Sequence, residues 1–330
     1  MSARQAGFRA MAAALAATAV LTAGCAATTS TPRDGSTASY IEPPLPASAT
    51  FVPTNSPLPP TAAEQSCGDV TASLSPNGTT QGLAIDAVRA RGRLLVGLDP
   101  GSNLFSFRDP ISGTLQGFDV DIAGEIARDL FGDPQRVEYR ILAQTDREPA
   151  LQEHTVDVVI ETMTINCQRK QQVAFSVPYF MAHQRILAAK NSGINGLADL
   201  AGKRICMVTG TTSLDFIRHA QPKANILTAP TWADCLVILQ QRQADAASTD
   251  NALLAGLAAQ DPYYTALVGP DLTDEPYGVG IPRGEDDMVR FVNGTLARIR
   301  SDGTWNRLYQ RWLQPALGPS SGPPQPSYQG

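Results

Sequence analysis

From about residue 80 to residue 313, short apolar runs of strand period alternate with longer amphipathic runs of helical period. Leu94–Leu98, Val137–Leu142, Val156–Ile160, Val173–Ser176, Arg185–Ala189, Arg204–Val208, Asn225–Thr228, Ala244–Ser248 and Leu267–Val268 read as strands. Val120–Leu130, Asp146–Glu153, Ser213–Ala220, Trp232–Gln241, Asn251–Ala259, Asp287–Arg300 and Gly303–Leu313 read as helices. Such alternation argues for an α/β fold with largely parallel sheets, because each crossover helix returns the chain to the same edge. Ligands in these folds sit at the C-terminal ends of the strands. The segment is long enough for two modest domains.

The flanks are of a different kind. Residues 1–24 read as an export signal: Arg4 and Arg9 precede an uncharged stretch too short to span a bilayer. It ends in Leu21-Thr22-Ala23-Gly24-Cys25, which resembles a lipobox, so Cys25 is expected to carry lipid and become the mature N-terminus. Lipid would then be the link to the membrane. Residues 25–79 read as a tether, rich in Pro, Thr and Ser and poor in charge, unable to bury enough apolar surface to offset its ordering entropy. The uncharged, Pro/Gly/Ser-rich 314–330 reads as a disordered tail.

With Cys25 assigned to lipid, four cysteines remain, an even number that suggests disulfides in an exported chain. Three pairings are possible. Cys206 and Cys235 fall in neighbouring elements of one small domain, which favours Cys206–Cys235 and leaves Cys67–Cys167. No Cys-x-x-Cys occurs and the three histidines are scattered, so no metal site is expected. The net charge of −5 lacks the basic stripe a nucleic-acid partner requires.

Gly117-Phe118-Asp119-Val120-Asp121-Ile122 opens an amphipathic helix with two acids in its first turn, where the helix dipole favours them. The whole pattern closely resembles the signature of the family 3 extracellular solute-binding proteins, the polar amino-acid receptors of ABC importers. The resemblance runs from about Leu83 to Leu313. It implies a periplasmic-binding-protein-like type II fold: two lobes with mixed, mostly parallel sheets, joined by a two-strand hinge. Lobe one would hold 80–184 and 281–313, and lobe two 185–280 with the crossings. Tyr277-Gly278-Val279-Gly280 would be the second crossing.

The resemblance also assigns a site. Thr162-Met163-Thr164-Ile165-Asn166-Cys167-Gln168-Arg169 is similar to a family stretch in which the arginine clamps a ligand α-carboxylate. This makes Arg169 the clamp, Thr164 a hydroxyl donor and Thr162 a cleft-lining residue. Gly210-Thr211-Thr212 matches a turn that completes the carboxylate pocket, with Thr212 as side chain and Gly210 allowing close approach. Asp250 stands where a carboxylate pairs with the ligand ammonium, though an N-cap for the following helix is an equal reading of the residue alone. Asp99, Phe105 and Glu161 fall on the wall facing the ligand side chain.

These readings lead to a monomeric, non-enzymatic receptor without cofactor. It would bind a free polar amino acid of glutamate/glutamine type and hand it to an ABC permease. A sensor for a membrane signalling partner is the alternative. A dehydratase on the same fold is less favoured, with Glu161 its one candidate acid.

Overall fold

The computed structural model describes residues 42–53, 55–59 and 67–329. The expected export signal, the lipid site at Cys25 and the first part of the tether lie outside the described residues.

Two sheets carry the fold. In the first, the strand order is 137–141, 94–98, 158–159, 280–281, 174–175. Leu94–Leu98 runs parallel to both neighbours, with Leu94 opposite Val137 and Gly97 opposite Val159. Leu94, Val96 and Leu98 are fully buried, as a strand covered on both faces requires. Helices Phe118–Phe131, Asp286–Ser301 and Thr304–Trp312 pack with this sheet, and their apolar residues share one core with it. In the second sheet, 225–229, 204–208 and 246–250 are parallel, and Phe180–Ala189 and 265–268 extend them antiparallel. Helices Thr212–Ala220, Trp232–Gln240 and Asn251–Gln260 flank it. Each sheet therefore has a parallel part, and the strands that pair antiparallel with it include the two segments that cross between the lobes, Phe180–Ala189 and Gly280–Ile281.

The crossing strand is longer than the pattern at 185–189 predicts. It spans Phe180–Ala189, because its first half pairs with Asp274–Tyr277 while its second half joins the sheet of lobe two. The return crossing is held by backbone bonds from Gly278 N to Met163 O (3.0 Å) and from Ser176 N to Val279 O (3.0 Å). Two short helices escaped the periodicity. Leu83–Arg91 buries only Ile85 and Val88, and Cys167–Lys170 is a single turn. Both disulfides form as preferred, Cys67–Cys167 and Cys206–Cys235, with Cα separations of 5.6 and 5.5 Å.

The flanks correct the reading made from composition. The tail expected to be disordered contains a helical turn, Gln314–Leu317, and a strand, Ser327–Gln329. That strand pairs in parallel with Ala72–Leu74, itself inside the expected tether. Another part of the tether, Thr50–Phe51, adds to the edge of lobe two opposite Leu227 and Thr228. Each strand is only two or three residues long and finds its partner more than 170 positions away, so no local pattern announces it. Asn293 shows how the join to lobe one is made. Fully buried, it donates from Nδ2 to Ser73 Oγ (2.9 Å) and Leu74 O (2.7 Å), and its Oδ1 accepts from Val177 N (2.9 Å). Replacing Asn293 with Ala orphans a buried N–H and frees the 72–74 strand. A loss of about 2–4 kcal/mol in urea unfolding is expected; an unchanged midpoint would show that these bonds do not hold the flank.

Candidate functional site

The C-terminal ends of the central strands of lobe one face the start of helix Thr212–Ala220 in lobe two. On the lobe-one side, two arginines are buried. Arg169 sits in the turn Cys167–Lys170, whose first residues are capped by Asn166 Oδ1 accepting from Arg169 N (2.8 Å). Its guanidinium donates to Glu148 Oε1 (2.9 Å), to Thr164 O (2.8 Å) and, across the cleft, to Gly210 O (3.4 Å). Arg147 opens the helix Arg147–Gln152 and is 2% exposed. It donates to Gln144 O (3.0 Å), Glu161 O (3.2 Å) and the same Gly210 O (3.2 Å). Two cations of one lobe thus converge on a single oxygen of the other. Burial, and the charge of Arg147 beside it, pull the Arg169 pKa down to about 10, against the opposing pull of Glu148 and Glu275.

Gly210 is in the left-handed region (φ +77°), and a Cβ there would lie 2.8 Å from Thr145 Cγ2 of the facing lobe. Glycine is required twice over, by its backbone angle and by the approach of the lobes. Thr211 rather than Thr212 caps the following helix, its Oγ1 accepting from Leu214 N (3.2 Å). Thr212 is turned aside and donates to Glu275 Oε2 (3.0 Å).

Asp250 ends strand Ala246–Asp250 and is 4% exposed. It occupies the N-cap position of Asn251–Gln260 but makes no capping bond with its side chain. Instead Oδ2 accepts from Tyr277 OH (2.5 Å), and Oδ1 is buried without a partner. Burial, then the nearby Glu275 charge, push its pKa up to about 8; the Tyr277 bond and the two arginines oppose the shift. A buried carboxyl with one free oxygen is a ready partner for a cation.

A cavity of about 10 Å³, room for about one water, lies between these groups. Arg169, Arg147, Thr162 and Thr164 line it from lobe one, and Thr211, Thr212, Thr249 and Asp250 from lobe two. A groove of about 410 Å³ between Thr145, Glu148 and Arg169 on one side and Gly210, Thr212 and Asp215 on the other leads to it.

Three expected wall residues lie outside that lining. Asp99 accepts from Gly101 N (2.8 Å) and Ser102 Oγ (3.3 Å), so its carboxylate shapes its own turn. Phe105 is fully buried, its ring 5.4 to 6.0 Å from those of Phe118, Phe180 and Tyr277. It is core, and supports the tyrosine that holds Asp250. Glu161 is also fully buried, with neither carboxylate oxygen partnered. Burial raises its pKa well above the carboxylate range, with Arg147 the main opposing charge.

Arg147 and Glu275 carry no motif that reading the sequence could use, and Tyr277 was read only as part of the second crossing. Asp119, taken from sequence as a helix-start acid, is fully buried and works across the lobe. It accepts from Tyr179 OH (2.9 Å) and from the backbone N of Thr162 (3.0 Å), which is itself left-handed (φ 44°). Burial raises its pKa to about 7. Gly117 before it has φ +133°, and a Cβ there would meet Phe105 O at 2.2 Å.

Residues 94–315 match the family described as bacterial extracellular solute-binding proteins, family 3. The chain is 35% identical over 229 residues to the ABC transporter glutamine-binding protein GlnH of Bacillus subtilis (strain 168), covering 69% of this chain and 84% of that protein. It is 31% identical over 241 residues to the glutamate-binding protein GluB of Corynebacterium efficiens, covering 70% and 80%. Among solved structures, it is similar to an ancestral arginine-binding protein bound to arginine, with 34% identity and a TM-score of 0.64 over 68% of this chain and 99% of that one. The solute receptor for L-cysteine of Neisseria gonorrhoeae gives 27% identity and a TM-score of 0.68 over 71% and 95%. With two lobes facing each other across a polar cleft and a match spanning most of both, this chain belongs to the bacterial extracellular solute-binding proteins, family 3.

Proposed function

We propose that the protein is a lipid-anchored receptor at the extracytoplasmic face of the membrane. It binds a polar amino acid of glutamine/glutamate type by lobe closure and delivers it to the permease of an ABC importer. One observation carries this reading: Arg169 on one lobe and the half-partnered Asp250 on the other line the same cavity. A zwitterion offers a carboxylate to the first and an ammonium to the second, and only a closed cleft satisfies both. The small cavity means the lobes part to admit the ligand, which then takes over the guanidinium donors that Gly210 O now accepts. The relatives named for glutamine and glutamate point the same way.

The side-chain end is read from Arg147. Arg185 is engaged by Gly269 O and Asp271, and Lys190 donates to Pro262 O (2.6 Å). Arg147 stands beside Glu161, and burial favours the neutral form of that acid. An amide or carboxylate can accept from Arg147, whereas a cationic side chain would meet two guanidinium groups.

A thermal-shift screen of the twenty amino acids tests the reading. A ligand at 100 times its Kd stabilises by about 2.7 kcal/mol, and Arg169→Ala should abolish that response while leaving the unliganded melting intact. A response that survives the substitution would remove the clamp role.

Asp250 sets a pH dependence. In the folded chain it stays neutral up to about pH 8, while the unfolded chain ionises it near 3.8. The folded state therefore holds an extra proton between those values, and stability is lost as pH rises through that window. A bound ammonium reverses the preference and expels the proton. Calorimetry near pH 6 in buffers of different ionisation enthalpy should give release of about one proton per ligand, and none in Asp250→Asn. Heats independent of buffer would refute the pairing.

Gly210→Ala places a methyl against Thr145. It should weaken ligand binding by at least about tenfold, on the order of 1.4 kcal/mol, with the fold retained by circular dichroism. Full affinity in that variant would mean that the lobes do not approach at this point.

A further inference from the structure

Residues 67–74 precede the matched segment 94–315, yet they hold the turn that carries Arg169. That turn, Cys167–Lys170, is four residues long. A helix so short does not stand on its own hydrogen bonds. Within it, Lys170 N donates to Asn166 O (3.0 Å), and Asn166 Oδ1 caps Arg169 N (2.8 Å). The stronger ties come from outside. Cys167 and Lys170 lie three positions apart, so they are neighbours on one side of the turn. Cys167 is bonded to Cys67, and Lys170 Nζ donates to Val70 O (3.0 Å) and Ala72 O (2.9 Å). The chain leaving the turn is gripped as well: Ser73 Oγ donates to Phe175 O (2.7 Å), and Val70 packs on the cluster that contains Val173 and Phe175.

The segment is itself fixed to lobe one. Asn293 holds Ser73 and Leu74, and Ala72–Leu74 pairs with Ser327–Gln329. Asp69 Oδ1 accepts from Thr71 N (2.9 Å), and its Oδ2 accepts from Ser327 Oγ (2.5 Å). Arg169 stands between the two anchored positions and reaches the other way, to Glu148, Thr164 O and Gly210 O. One covalent bond and two bonds from an ammonium therefore fix the backbone from which the guanidinium enters the cavity.

The geometry points to Cys67–Cys167 and Lys170 as positioning residues for Arg169, holding it through residues 67–72 where the ligand carboxylate must meet it. This rests on the reading of Arg169 as the carboxylate clamp. A guanidinium already fixed in place loses less freedom when the ligand arrives, so the brace raises affinity without touching the ligand.

Two measurements on the full chain test it. The first is NMR relaxation at the Arg169 backbone N–H and at its Nε–H, without ligand. The second is calorimetric titration with L-glutamine and with L-glutamate. The Arg169 backbone order parameter should be near the rigid value of about 0.85 in the parent and drop toward about 0.6 in Cys67→Ser with Cys167→Ser and in Lys170→Met, with the Nε–H following. Val96, in the buried centre of the lobe-one sheet, should keep its parent value. Both variants should bind at least about tenfold more weakly, and Lys170→Arg, which keeps a cation and its donors, should restore both readouts. A brace that adds only to overall stability would lower the unfolding midpoint and leave the mobility of Arg169 in the folded state unchanged. Parent-like order at Arg169, or parent affinity, in the folded variants overturns the positioning role. Lys170→Met decides the matter if the serine variant does not fold. A parent that binds neither amino acid would remove the receptor reading, and the relaxation data would still decide whether residues 67–72 hold Arg169.

Discussion

Two guanidinium groups buried at a lobe interface cannot remain there without acceptors, because stripping water from a cation costs more than the surrounding packing returns. Arg147 and Arg169 find theirs on both sides. Gln144 O, Glu161 O, Thr164 O and Glu148 come from their own lobe, and Gly210 O from the other. The rest of the structure is arranged around that need. The strand ends of lobe one bring the first set together, and the strand-to-helix turn at 208–212 presents the last. A carbonyl is a neutral, single acceptor for two cations. A carboxylate in the same place would satisfy them better.

The carboxyl groups show the complementary side. Asp119, Glu161 and Asp250 are all buried and all held toward the neutral form, yet each has a distinct setting. Asp119 has both oxygens satisfied and serves the backbone of Thr162. Glu161 has neither satisfied and lies behind Arg147. Asp250 has one satisfied and one free at the cavity. An acid kept neutral while the cleft is shut on itself does not repel its neighbours, and becomes a charge only when a cation arrives to hold it.

How much of this could be read in advance depends on range. Strands 94–98 and 204–208 and helix 251–260 were legible almost to the residue, because burial on a regular element stamps its own period on the sequence. Cys206–Cys235 followed from the same element map, and Cys67–Cys167 from elimination once Cys25 was set aside. Arg169, Thr164 and Asp250 were singled out through resemblance to family stretches, since as single residues each had an ordinary surface or capping reading; the structure brings all three to the lining of one cavity. Phe105 was misplaced by one layer: it supports Tyr277 rather than facing the cavity, and a ring in the core looks the same in sequence as a ring on a wall.

The chain by itself determined its alternation of strands and helices, the buried strand Leu94–Leu98, and its family. All of these depend on local period or on short contiguous motifs. Only the tertiary structure decided that Arg147 joins Arg169 on one oxygen, that Tyr277 holds Asp250, and that residues 50–51, 72–74 and 327–329 become strands rather than tether and tail. Those outcomes depend on partners tens to hundreds of positions away. Composition registers the low apolar content of such segments, but not the sheet edge or buried side chain that waits to receive them.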